Sequence, residues 1–200
     1  MTTFFLNRLA TEPHALAFAG QSTPWPVALA DQTTDPSLDE ALRGHVAAAG
    51  RLLTPVAADL LATTGRPVDL FGFALNPARL GAAADATASV EGVALTQLGA
   101  LLDLEHLGYS VAQAKPLAVL GHSQGVLAVH MTRAIEAAGS IEAAGKTLNE
   151  ILAVAALIGA AGTRRVRELG LNPKYGEASP MLSVKGATRE QVEALVARVN

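Results

Sequence analysis

One segment, LAVLGHSQGVLAVHMTRAIEAAG at residues 117–139, restricts the fold more than any other. The apolar run PLAVL (116–120) leads directly into Gly121-His122-Ser123-Gln124-Gly125, and QGVLAVHMTRAIEAAG then keeps helical spacing until Gly139. Strand, tight turn and helix in direct succession form the geometry of a nucleophile elbow. Such a turn has no room for side chains at 121 and 125, and both are glycine. Ser123 then stands at the head of a helix, where free N–H groups and the dipole favour negative charge. The backbone N–H of Gln124 could point at an oxyanion. The plainer use of such a serine is to cap the helix.

A second segment points to the same place. HALAFAG (14–20) reads as another buried strand, and the loop FAGQS (18–22) follows it. In a parallel sheet both loops leave at the carboxyl edge of the strands, where open α/β folds bind ligands. The N–H of Gln21 could supply a second oxyanion donor; read alone, Gly20-Gln21 is equally well a turn.

The chain has 200 residues, half of them hydrophobic, with 18 glycines and few aromatics, which suits one domain of closely packed helices on a sheet. A net charge of −3 from scattered acids and bases argues against a nucleic-acid partner. With no cysteine, disulfides, thiolate zinc sites and cysteine nucleophiles are excluded. The N-terminus does not read as a signal peptide. ILAVAALIGAAG ends in TRRVRE and reads as a buried helix, not a membrane span. The expectation is a soluble cytoplasmic protein with no metal site and no membrane partner.

Other elements follow from spacing and breakers. QSTPWP reads as a loop, its two prolines ruling out helix around Trp25. PSLDEALRGHVAAAGRLLTPVAADLLATTG reads as helical pieces separated by Gly and Pro, with a Ser37–Glu40 capping box. Residues 66–87 read mainly as loop, and SVEGVALTQLGALLDLEHLGYS as an amphipathic helix ending at Gly108. TLNEILAVAALIGAAGTRRVREL is a long helix. PMLSVKGATREQVEALVARVN reads as strand, turn and helix, with a Thr188–Gln191 capping box. That last unit is expected to open a second subdomain which these 200 residues leave incomplete.

AFAGQS, SVEGVALTQLGALL and GHSQG at this spacing resemble the acyltransferase domains of fatty acid and polyketide synthases. GHSQGVLAV, LIGAAGT and PMLSV are similar above all to the N-terminal acetyl/acyl transferase domain of the type I fatty acid synthases of mycobacteria and corynebacteria. The similarity runs over nearly the whole chain. It implies an α/β class: an α/β-hydrolase-like large subdomain whose first part is residues 1–176, and the start of an inserted ferredoxin-like small subdomain at 177–200. It also implies a chemistry. Ser123 takes an acyl group from acyl-CoA and passes it to the phosphopantetheine thiol of an acyl carrier protein, while the N–H groups of Gln21 and Gln124 hold the oxyanion. No cofactor is implied for this segment. FMN and NADPH belong to other domains of the resembled synthase, which is homo-oligomeric when complete.

Two departures from the family pattern matter. The usual GQG is here Gly20-Gln21-Ser22. The family's histidine base lies beyond the small subdomain, and no residue here matches its motif. His122, grouped with the substrate-binding residues, leaves the elbow in another direction. His130 lies seven residues up the helix, roughly 10 Å from the serine along the axis. His14, His45 and His106 sit in no motif and read as structural or solvated. The base is expected beyond Asn200, and these residues alone are expected to be a poor catalyst.

Malonyl-specific relatives carry Arg-Gly behind the serine, and the matching pair here is Ile158-Gly159. An apolar side chain offers no partner for a malonyl carboxylate and suits acetyl or another uncharged acyl group. Read without the resemblance, Ile158 is a core residue. Arg133, Arg164, Arg165 and Arg167 are the competing cations, the last three at a helix end that suits them anyway. The alternatives are an esterase or thioesterase, against which the absence of an HGGG-type loop counts, a malonyl/palmitoyl transferase, and a non-catalytic docking piece.

Overall fold

A computed structural model describes residues 8–9, 11–20, 25–64, 86–168 and 188–199. The two apolar tetrapeptides around which it is built are β1 (Ala15–Phe18) and β2 (Ala118–Gly121). They pair in parallel, Ala15 opposite Ala118 and Phe18 opposite Gly121. Beyond the ladder, Leu117 N–H donates to His14 C=O at 2.9 Å and His122 N–H to Phe18 C=O at 3.0 Å. Leu16 and Phe18 pack against the core, whereas Ala15 and Ala17 are exposed and Leu120 is 58% exposed. The expectation of buried strands thus holds only in part: β1 alternates, with Ala15 and Ala17 outward, while in β2 Ala118 and Val119 are half-buried and Leu120 and Gly121 exposed.

Helices supply the rest. α1 (Trp25–Gln32) starts where a loop was expected. Proline lacks a donor that the first turn would not use, so Pro26 is tolerated there. α2 (Pro36–Leu53) is one helix through Gly44 and Gly50, not separate pieces. Each glycine costs about 1 kcal/mol against alanine. Burial of Leu38, Leu42, Val46, Ala49 and Leu53 along one face outweighs that. Its cap is Asp35, not the expected Ser37–Glu40 box: Asp35 Oδ1 accepts from Ser37 N–H at 2.9 Å and Leu38 N–H at 3.3 Å. A 3₁₀ turn at Thr54–Val56 then carries the chain into α3 (Ala57–Thr64).

α4 (Ala86–His106) takes in the last two residues of the expected 66–87 loop, the rest of which lies outside the described residues. It is not amphipathic, as its spacing suggested; from Ser89 to Gly99 every residue is buried. Even its polar residues there, Ser89, Glu91, Thr96 and Gln97, are buried, which marks it as a core helix. α1 lies across it at two glycines, where a Cβ on Gly92 would fall 2.2 Å from the Trp25 ring and one on Gly99 would fall 2.4 Å from Gln32 Oε1. Gln32 Nε2 donates to Thr96 C=O at 3.0 Å across the same contact.

After α5 (Val111–Ala114) and β2, α6 (Val126–Ala138) ends at Gly139, in the left-handed region with φ 85°. α7 (Ile141–Glu168) begins earlier than expected because Ser140 Oγ accepts from Ala143 N–H at 3.1 Å and caps it. By length and mean hydropathy, Ile141–Arg165 is apolar enough to cross a membrane. Its buried side chains, including Leu148, Leu152, Ala155 and Ala156, belong to the core cluster, as in a core helix. His45 Nδ1 bonds Asn149 Oδ1 at 2.6 Å, tying α2 to α7.

The chain divides into two units, Met1–Arg165 and Val166–Asn200. In the second, α8 (Arg189–Val199) opens on the expected capping box: Thr188 N–H donates to Gln191 Oε1 at 2.9 Å and Gln191 N–H to Thr188 Oγ1 at 3.3 Å. The strand expected at 180–184 lies outside the described residues.

Candidate active site at the Ser123 elbow

The register decides which residues meet. The ladder ends with Phe18 opposite Gly121, which brings Gly20 and Ser123, each two residues further on, to the same end of the sheet. A Cβ placed on Gly20 would lie 2.7 Å from both Ser123 Cβ and His122 O, and 3.3 Å from Ser123 Oγ. The two loops therefore leave the same edge of the sheet and touch. Gly121 and Gly125 are as crowded as the sequence suggested. A Cβ on Gly121 would fall 2.5 Å from Gly125 O, and one on Gly125 would fall 2.3 Å from Phe18 O.

Ser123 itself has φ 54°, in the left-handed region. A non-glycine residue held there costs of order 1 kcal/mol or more and is kept only where the surroundings over-determine it. Here β2 enters from one side, and a 3₁₀ turn, Ser123–Gly125, leads into α6 on the other. The first hydrogen bond of that turn runs from Gly125 N–H to His122 C=O at 2.9 Å. The N–H groups of Ser123 and Gln124 precede that bond, so the helix start leaves them for a ligand oxygen. His122 stands at the N-cap of the turn and Gly125 at that of α6, so Ser123 caps neither.

His122 and Ser123 are exposed at the head of the turn, while Gln124 is half-buried and its side-chain Oε1 has no partner. Gln21 and Ser22, next to Gly20, lie outside the described residues. Ile158 and Gly159 are carried by a different element, α7; Gly159 is buried and Ile158 is 49% exposed, beside exposed Val154 and Leu157.

None of the five histidines hydrogen-bonds to Ser123 Oγ among the described residues. His14 is engaged by Tyr109, whose hydroxyl lies 2.6 Å from Nε2, and by Glu12 C=O at 2.9 Å from Nδ1. His45 is held by Asn149. His130 faces a groove of about 260 Å³ between α6 and α7, lined by Leu127, Thr147, Glu150, Ile151 and Val154. His106 lines a cleft of about 590 Å³ with His45, Glu105 and Glu142. No cluster able to hold a metal ion occurs among the described residues.

Gln97 is not among the site residues expected from the sequence motifs. It is buried on α4, and its Nε2 donates to Ala19 C=O at 2.6 Å, one residue before Gly20. Its signal was a glutamine inside a largely apolar stretch, GVALTQLGALL, where an amide must find a partner.

Comparison with known proteins gives one family. Residues 81–200 match the model described as starter unit:ACP transacylase in aflatoxin biosynthesis. Neither the curated proteins nor the solved structures gave a match. The family match spans more than half of the chain and includes the whole elbow, and the chain belongs to the starter unit:ACP transacylase family, an acyltransferase-type domain of polyketide and fatty acid synthase-like systems.

Proposed function

We propose that this chain is the acetyl- or acyl-loading part of a multifunctional fatty acid synthase in the cytoplasm, moving an uncharged acyl group from CoA onto an acyl carrier protein through Ser123. The observation that carries the reading is Ser123 at φ 54° with Gly20 against it, on a strand–turn–helix whose first N–H groups are free of the helix ladder. The family's acceptor, an acyl carrier protein, agrees with it.

In this reading Ser123 Oγ attacks the thioester carbonyl and loses its proton to a base. The carbonyl oxygen becomes an oxyanion facing the N–H groups of Gln124 and Gln21. Collapse breaks the C–S bond and releases CoA as the thiol, leaving an acyl ester on Ser123. The phosphopantetheine thiol of the carrier protein then attacks that ester, and Ser123 recovers its proton. The base would come from outside the described residues, in keeping with the downstream histidine of the resembled synthases. The α/β-hydrolase-like large subdomain belongs to the same proposal, supported by the parallel strand pair and the elbow, and the ferredoxin-like small one belongs to it on the resemblance alone.

Ile158 in place of the malonyl-binding arginine supports an uncharged acyl group. Exposure of Ser123 favours a second reading, an esterase or thioesterase in which water takes the acyl group. Incubation with acetyl-CoA, followed by peptide mass spectrometry and addition of carrier protein, separates the two. An acetyl adduct on Ser123 that moves to the phosphopantetheine thiol is expected. Loss of the adduct as free acetate at a rate unaffected by carrier protein would establish the hydrolase.

A further inference from the structure

We propose that Gln97 is a positioning residue for acylation at Ser123, holding the Ala19–Gly20 backbone at the height where Gly20 abuts the serine; this rests on the acyl-transfer reading above. The strand ladder cannot do this alone. Its last bond at this end is His122 N–H to Phe18 C=O, and the chain leaves the sheet immediately afterwards. The next carbonyl, that of Ala19, is held by a helix: Gln97 Nε2 donates to it at 2.6 Å.

The orientation of the amide is set by its partner. A carbonyl oxygen can only accept, so the NH₂ end faces Ala19 and Oε1 is the end left over. That Oε1 is buried without a hydrogen-bond partner. A methionine or leucine would fill the same space with no stranded polar atom, so for packing alone glutamine is the costlier choice. The bond to Ala19 is what the side chain supplies.

Gln97 is also placed with little freedom. It is 8% exposed, one residue after Thr96, whose hydroxyl donates to Gly92 C=O at 2.8 Å and whose carbonyl accepts from Gln32. Gly92 and Gly99 on either side meet Trp25 and Gln32 of α1 at contact distances that admit no Cβ. The α1–α4 contact thus fixes the helix, the helix fixes Gln97, and Gln97 holds the carbonyl of Ala19. A donor on that loop is useful only if it lies within hydrogen-bond reach of the developing oxyanion.

The test compares the 200-residue chain with Gln97→Met and Ser123→Ala, using p-nitrophenyl acetate in single-turnover acylation, with a tertiary amine added to all three as external base, and hydrogen exchange of the peptide spanning residues 15–20. For Gln97→Met the expected result is an acylation rate constant lower by about tenfold to a hundredfold. Half-saturation and melting temperature should stay nearly unchanged, and exchange should be faster at Ala19–Gly20 but not in β2. Gln97→Met acylating at the wild-type rate, or exchanging like wild type, overturns the proposal. If the wild type itself acylates no faster than Ser123→Ala, the acyl-transfer reading has failed and the positioning role for acylation fails with it, whatever exchange shows about the loop. Should Gln97→Met not fold, Gln97→Glu replaces it. Above its pKa the new carboxylate cannot donate to a carbonyl, so the same losses are expected and their absence is equally decisive.

Discussion

Ser123 is the residue at which local conformation and chemistry are hardest to separate. Its φ of 54° is a conformation glycine takes freely and serine does not. Ser123→Gly and Ser123→Ala should both abolish the acyl-enzyme. Ser123→Gly, however, should be the more stable variant by about 1 kcal/mol, because alanine keeps the strain and glycine removes it. Equal thermal or denaturant midpoints for the two would show that the turn is unstrained. Gly20 gives the complementary experiment. Gly20→Ala would put a methyl 2.7 Å from Ser123 Cβ, so one of the two loops must move. The acylation rate should fall at least about tenfold while the fold survives, measured as adduct formation against melting temperature.

At the scale of elements, two contacts carry testable weight. Gly92→Ala would drive a methyl into the Trp25 ring, and separating α1 from α4 should cost about 1–3 kcal/mol, read from urea midpoints. The α2 cap makes a prediction in pH. The Ser37 hydroxyl, then the Leu38 and Ser37 N–H groups, hold the Asp35 carboxyl below its ordinary pKa. A carboxylate with a depressed folded-state pKa adds stability above its unfolded pKa and loses it as pH falls through the folded value. Asp35→Ala should therefore melt below wild type at neutral pH. The difference should shrink below the usual aspartate range and vanish once Asp35 is protonated. A melting difference independent of pH would exclude the cap as its cause.

Across the whole molecule, acyl preference is proposed to depend on α7, far in sequence from the elbow. Ile158→Arg should shift loading from acetyl-CoA towards malonyl-CoA, scored by competition between the two donors and mass of the adduct on Ser123. The direction follows from pairing a carboxylate with guanidinium in place of an apolar side chain. An unchanged ratio would remove Ile158 from the acyl site. The burial of Tyr109 shows a similar reach across the chain. It closes over His14 with ring centroids 5.5 Å apart, joining the start of β1 to the end of α4. Burial, with the charge of Glu136 adding to it, raises its phenol pKa, so Tyr109 stays protonated and able to donate to His14.

Part of this was legible from residue order alone. The elbow was, because a strand, two glycines around a serine and a helix are all local features whose sterics act within nine residues. The stop at Gly139 and the Thr188–Gln191 box were legible for the same reason. What failed were judgements about surroundings. Trp25 starts a helix because Gly92 leaves a place for its ring; α4 is buried from Ser89 to Gly99 because α1, α2 and α6 pack on it. Gly44 and Gly50 do not break α2 because its buried face lies elsewhere. The register between β1 and β2, which sets Gly20 beside Ser123, and the bond from Gln97 to Ala19 are long-range pairings. Local sterics made Ser123 a candidate nucleophile. Only tertiary packing decided which backbone stands next to it, because that depends on contacts between segments some eighty to a hundred residues apart.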